Sequence, residues 1–86
     1  MKKVFMIFAI QESTDNAPWN RSPKVCFKNK ETAIADMKLM IEQETEIYVK
    51  NGYTPSVTAD SDTKVLLEVV EAGITISYEI CELSIV

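Results

Sequence analysis

Residues 64–85 read KVLLEVVEAGITISYEICELSI, and this stretch decides the fold. Residues 64–70 are rich in valine and leucine, and residues 74–85 alternate between apolar and polar side chains, as strands with one buried face do. Glu71, Ala72 and Gly73 between them have the composition of a turn. The pattern predicts an antiparallel β-hairpin.

The second strand of this hairpin changes the parity of its apolar positions. Up to Ile80 the even-numbered positions are apolar, whereas from Cys81 onward the odd-numbered ones are. A pattern of period two changes face at a bulge, a bend or a change of partner. We therefore expect an irregularity near residues 80–82; the alternative is that the core simply ends there.

Residues 3–11 predict a first strand that is apolar on both faces. Lys2 and Lys3 before it imitate a secretory signal, but the apolar run has only seven residues before Gln11 interrupts it, so we interpret it as a core strand. A polar loop follows over residues 13–22. Residues 23–27 form a short second strand whose Pro23 suits a sheet edge, or remain irregular.

Residues 30–51 contain no glycine or proline and predict one long helix. Asn29 is a suitable N-cap, and Gly52 stands where a left-handed residue ends a helix. The helix has one apolar stripe, formed by Ile34, Met37, Ile41 and Tyr48. Residues 53–62 read as a loop.

These elements predict an α+β fold for a single domain of residues 1–86. The expected architecture is a two-layer sandwich of a four-stranded antiparallel sheet, ββαββ, with one long helix on one face; the variant without the second strand is βαββ. Because the strands offer apolar side chains on both parities, the helix-free sheet face needs a cover. We expect a homodimer through that face.

The first thirty residues are basic and the rest are acidic. Residues 1–30 have six lysines and arginines against two acids, and residues 31–86 have three lysines against eleven carboxylates. A chain polarised in this way favours recognition over catalysis. The acidic balance argues against a nucleic-acid partner, and no apolar run is long enough to cross a membrane. Cys26 and Cys81, each in an apolar run, are expected to be buried thiols of a cytoplasmic protein, although one bridge between them stays open.

The residue types exclude several chemistries. The chain has no histidine, which removes the common nucleophile–base pairs and histidine zinc sites. Asp60 and Asp62 resemble a cation site only weakly and are interpreted as solvated turn residues. We therefore expect no enzymatic activity, no catalytic residues, no cofactor and no metal.

Four residues are the candidate interaction sites. Trp19 and Arg21 are side chains enriched at binding hot spots and lie on a loop; alternatively, Trp19 folds back as a lid on the open sheet face. Glu42 and Glu46 share a helix face and form an acidic docking patch or a merely solvated surface. Glu44 falls at the border of the apolar stripe, where it reaches water or pairs with a lysine of the sheet.

The sequence therefore favours a small non-catalytic protein-interaction module that regulates or inhibits a protein partner by docking. The strand–loop–helix–hairpin order is common in short bacterial and phage accessory proteins. The alternative is a small-ligand-binding or enzymatic domain with a pocket between sheet and helix or at a dimer interface. Its polar contacts would be Tyr48, Tyr53, Tyr78 and Glu44, around a cavity of a few hundred Å³. A third hypothesis is a subunit whose role is assembly.

Overall fold

The computed structural model describes residues 2–85, so the predicted domain of residues 1–86 extends one residue beyond this range at each end. Residues 2–85 form one long helix and five strands, and the strands join in an antiparallel sheet of order β2-β1-β5-β4-β3. The α+β class is confirmed. The elements are β1 Lys2–Ser13, β2 Trp19–Asn20, α1 Lys30–Lys50, β3 Ser56–Ser61, β4 Lys64–Val69 and β5 Ile74–Ile85.

The prediction of four strands is wrong, because the sheet has five. The predicted loop of residues 53–62 contains β3, which pairs with β4 and is exposed along its whole length. Residues 23–27 are not a strand; Phe27 forms a single bridge to Phe5 through two backbone hydrogen bonds of 2.8 Å. The short strand next to β1 lies earlier, at Trp19–Asn20, ahead of the proline that lacks an amide donor.

The predicted helix is confirmed together with both of its ends. Oδ1 of Asn29 accepts a hydrogen bond of 2.9 Å from the backbone N–H of Thr32, which satisfies a donor of the first turn. Gly52 has a φ of 86° just after the C-cap, the left-handed conformation that glycine adopts without steric cost. None of the helices in residues 2–85 combines the length and the apolar character that a membrane crossing requires.

The core lies between α1 and one face of the sheet. Residues directly opposite in an antiparallel pair share a face, and the buried sheet residues all belong to the face that packs on the helix. Ala33, Met37 and Ile41 contribute the helix side. The sheet contributes Ile7, Ala9, Leu67, Ile76, Tyr78 and Ile80.

The predicted hairpin is confirmed. Near residues 80–82 β5 has no bulge, but its pairing with β4 ends there, at Lys64↔Glu79, and β5 continues with β1 as its one strand partner in the described residues. β1 and β5 pair in one unbroken register from Lys2↔Ile85 to Ser13↔Ile74. The parity change has a simpler cause: beyond Ile80 the apolar side chains of β5 lie on the sheet face that α1 does not cover.

That second face, which we call the open face, is apolar along β1 and the end of β5. Phe8, Ile10 and Leu83 are 36%, 37% and 41% exposed. Its apolar residues are Val4, Met6, Phe8, Ile10, Leu66, Cys81, Leu83 and Ile85.

Candidate functional site

A groove runs between α1 and the edge strand β3. Its volume is about 490 Å³, and its walls are predominantly apolar. The helix does not cover β3 as it covers β1, β4 and β5, so a gap remains between the two elements. The groove, which we call the α1–β3 groove, is lined by Ile41, Glu42, Thr45, Glu46, Val49 and Val57.

Both predicted acidic residues of the helix line this groove. Glu42 is exposed, and Glu46 forms an exposed ion pair of 3.1 Å with Lys50 one turn later, a contact worth little in water. Thr45 lies between them, and its Oγ1 is the one buried side-chain polar atom without a hydrogen-bond partner in residues 2–85. The groove therefore combines apolar walls with two glutamates of the helix.

β3 forms the outer boundary of the groove and is an edge of the sheet. No strand in the described part of the chain pairs with its outer side. Its register with β4 is regular from Ser56 to Ala59 and shifts between Ala59 and Ser61. Asp60 and Asp62 lie exposed at that end, and among residues 2–85 no three cysteines or acids gather as a metal site requires. The regular part of the edge leaves backbone donors and acceptors unpaired.

Arg21 does not line this groove; it lies against a different flank of α1, together with Gln43, Glu44 and Ile47. Its guanidinium pairs with both carboxylate oxygens of Glu44, with 3.1 Å between Nη2 and Oε2, and Nη1 also donates to Oε1 of Gln11 at 3.0 Å. The Glu44 side chain is 14% exposed and that of Arg21 31%. Glu44 therefore pairs with a loop arginine rather than with a lysine of the sheet, and Arg21 fastens the loop to the helix.

The ion pair also affects its two tyrosine neighbours. Burial and the negative charge of Glu44 raise the pKa of Tyr78 to about 12, and the same causes raise the pKa of Tyr48. The hydrogen bond and the charge of Glu44 raise the pKa of Arg21 as well. Both phenols are therefore protonated at neutral pH.

Trp19 is 55% exposed and does not cover the open face, so the lid interpretation is wrong. It pairs with Gln11, which shares its face with the core residues Ile7 and Ala9, and Trp19 therefore lies on the helix side of the sheet. The Arg21 guanidinium carbon lies 5.7 Å from the centre of its ring. A cavity of about 420 Å³ adjoins Trp19, Gln11, Ile74 and the loop after β1.

The alternative pocket between sheet and helix is small. Its volume is about 190 Å³, and it adjoins Arg21, Glu44 and Tyr78. Two of these groups are already paired with each other, so they offer few free contacts to a ligand. Tyr53 packs edge-on against Tyr48 at 6.2 Å between ring centres instead of entering this pocket.

The cysteine expectation needs correction. Both thiols are free, but Cys26 is exposed and Cys81 is half-buried rather than enclosed in the core. Cys26 belongs to the irregular segment after Pro23, in which residues 24–26 are all exposed. Cys81 lies on the open face, opposite Met6. Partial burial and Glu79 raise the pKa of the Cys81 thiol.

Sequence reasoning locates four candidate residues but misses what surrounds them. The structure brings Trp19 and Arg21 together, and Glu42 and Glu46 together, as two separate surfaces. It adds Gln11, Thr45 and Val57. A signal exists for Gln11, because it has the inward parity of Ile7 and Ala9, whereas nothing in the sequence links Arg21 to a helix residue 23 positions away.

Comparison with protein families, with curated proteins and with solved structures finds no match for this chain.

Proposed function

We propose that this chain is a non-catalytic protein-interaction domain, which regulates or inhibits a protein partner by binding an extended segment of it at the α1–β3 groove. The observation that carries the proposal is the combination of an unpaired sheet edge with an apolar, acidic groove beside it. A segment that pairs with β3 gains backbone hydrogen bonds, and every second side chain enters the groove.

The lining of the groove indicates the chemistry of the segment. Val49, Val57 and Ile41 accept apolar side chains, whereas Glu42 and Glu46 attract lysine or arginine. The net charge of −8 in residues 31–86, with Asp60 beside the edge, repels an acidic strand and accelerates the approach of a basic one. The expected ligand is therefore an extended peptide that alternates apolar and basic residues.

The two free thiols support the cytoplasm as the compartment, since free cysteines are typical of reducing conditions.

A random peptide library displayed on phage tests this proposal, because it samples ligands of every composition and needs no identified partner. Selected peptides are expected to alternate apolar and basic residues. Methylating their backbone nitrogens at alternate positions should abolish binding for one set of positions and spare the other, because only every second amide of an added strand faces β3. Sensitivity at all positions, or at none, would contradict strand addition.

Charge reversal tests the groove itself. Glu42→Lys/Glu46→Lys should weaken binding of the selected peptides by about tenfold or more at low salt, with the loss shrinking as salt is added. Glu12→Lys/Glu31→Lys changes the net charge equally at exposed sites away from the groove and should have little effect. Trp19→Ala should also bind normally. If Trp19→Ala abolishes binding and the groove variant does not, the binding surface is the Trp19 loop instead.

A further inference from the structure

The open face is apolar along β1 and along the end of β5. The even-numbered residues from Val4 to Ile10 in β1 are apolar, and Cys81, Leu83 and Ile85 continue the same surface on β5. Leu66 of β4 lies on the same face, separated from Ile10 by Ser77 of β5. A continuous apolar surface on a folded domain marks a place where another surface packs.

This face has the dimensions of a protein interface. β1 and β5 have 12 residues each and β3 and β4 have six. At a rise of ~3.4 Å per residue and a spacing of ~4.8 Å between strands, the four strands have a flat footprint of roughly 600 Å². A standard interface buries about 800 Å² of accessible surface on each partner. The accessible surface of this face is larger than its flat footprint, because side chains project from the sheet. A second copy of the chain presents a face of the same length and width.

The charges on the open face are compatible with burial. Lys64 and Glu79 are direct cross-strand neighbours, so the row that contains Phe8 is neutral as a whole. Glu12 and Glu68 lie in the row at one end of the face and Lys2 lies in the row at the other end, so all three remain at the rim. Covering the apolar part therefore leaves no unbalanced charge in the dry interior.

The other route to self-association is less favourable. The regular part of the β3 edge spans only Ser56–Ala59, the charged Asp60 follows it, and the shifted register between Ala59 and Ser61 disrupts a continuous ladder. A charged residue and a register shift at a sheet edge hinder the pairing of that edge with the same edge of another copy. The apolar face has neither protection.

We propose that two copies of this chain pack sheet against sheet through their open faces, around a two-fold axis that lies between the sheets. The same residues then contact each other from both copies, and packing of this kind buries the apolar ends of β1 and β5. This dimer leaves both α1–β3 grooves free, so the inference does not depend on the peptide-binding proposal.

The two cysteines provide a test within a single molecule. Cys81 lies on the open face, whereas Cys26 is exposed on a loop outside it. The protein is alkylated at a series of concentrations that spans the transition from monomer to dimer, as sedimentation verifies. Peptide mass spectrometry then gives a separate alkylation rate for each thiol. We expect Cys81 to be alkylated at least about tenfold more slowly in the dimer, while the rate at Cys26 stays constant.

Single substitutions complete the test. Phe8→Glu buries an unpaired carboxylate in the proposed interface and should shift the dimer to monomer over the whole concentration range. Leu39→Glu is the matched control, since Leu39 lies exposed on α1, and it should dimerise normally. Circular dichroism of dilute samples verifies that both variants remain folded.

Two results would overturn the inference. One is a wild-type protein that remains monomeric at every concentration. The other is a dimer in which Cys81 is alkylated as fast as in the monomer or which Phe8→Glu leaves intact, because such a dimer uses another surface, such as the β3 edge.

Discussion

The Arg21 side chain joins three parts of the chain that are distant in sequence. It binds Glu44 of α1 and Gln11 of β1 and contacts the ring of Trp19. Glu44 and Arg21 are both largely buried. If one of them is removed, the charge that remains still has its desolvation cost but has lost the favourable ion pair that offset it. The pair therefore holds the loop between β1 and α1 against the helix.

We predict that Glu44→Gln lowers the free energy of unfolding by about 1–3 kcal/mol, since hydrogen bonds to a charged partner contribute in this range. Urea denaturation measures the change. Glu46→Gln is the control on the same helix: its ion pair with Lys50 is exposed, and its loss should change stability by less than about 0.5 kcal/mol. Equal effects of the two substitutions would show that the Arg21 pair is no more important than a surface contact.

At the scale of elements, the β4–β5 hairpin turns at a glycine that the neighbouring loop also constrains. A short 3-10 turn over Val70–Ala72 leads into Gly73, which has a φ of 65°. The backbone N–H of Thr14 donates to the Gly73 carbonyl at 3.1 Å. A Cβ at Gly73 would lie 2.7 Å from Oγ1 and 3.2 Å from Cγ2 of Thr14. The turn therefore needs glycine for its backbone conformation and also for space.

We predict that Gly73→Ala destabilises the fold more than Gly52→Ala does. Both positions have positive φ, which costs alanine about 1 kcal/mol, but a Cβ at Gly52 meets no atom within 4 Å. In a Thr14→Ala background the excess cost of Gly73→Ala should disappear, because the two closest atoms are gone. Thermal or urea unfolding of the four proteins in this cycle measures the coupling; additive effects would rule out the clash.

At the scale of the whole molecule, Tyr78 lies between the helix and the sheet and has a pKa of about 12 in the folded state. Burial and the charge of Glu44 hold its proton more tightly in the folded chain than in the unfolded one, where a tyrosine has a pKa near 10. The contribution to stability is therefore complete below pH 10 and is lost as the pH rises through 12.

We predict a fall in the urea midpoint as the pH rises from 10 to 12, over the window set by Tyr78. Tyr78→Phe should flatten this fall without abolishing it, because the pKa of Tyr48 is raised as well. Absorbance of the ionised phenol, recorded in parallel, shows whether unfolding and ionisation coincide. An unchanged pH profile in Tyr78→Phe would contradict this assignment.

Much of the fold could be predicted from local patterns. The helix and both of its caps follow from Asn29, Gly52 and the uninterrupted segment between them, and the hairpin follows from alternation around Gly73. β3 could not be predicted, because Ser56–Ser61 is polar and takes its strand conformation from the free edge of β4 rather than from its own propensity.

The candidate site could be predicted only in part. Glu42 and Glu46 follow from their shared helix face, but the groove they line depends on Val57, which belongs to the unexpected strand. The division of the chain into a basic first part and an acidic remainder likewise does not predict which charged residues pair with each other. The fastening of Arg21 to Glu44 depends on how the loop crosses the helix, and that is a tertiary property without a local signal.

The position of β5 has a consequence for how the protein is made. Among residues 2–85, β5 is the last strand in chain order, yet it lies at the centre of the sheet, with β1 on one side and β4 on the other. β1 and β4 each have an unpaired edge until β5 is inserted between them. The growing polypeptide therefore cannot complete its sheet until the segment up to residue 85 has left the ribosome. Pairings between such distant segments form slowly. The unfinished nascent chain, with two open strand edges, is the form of this protein most in need of a chaperone.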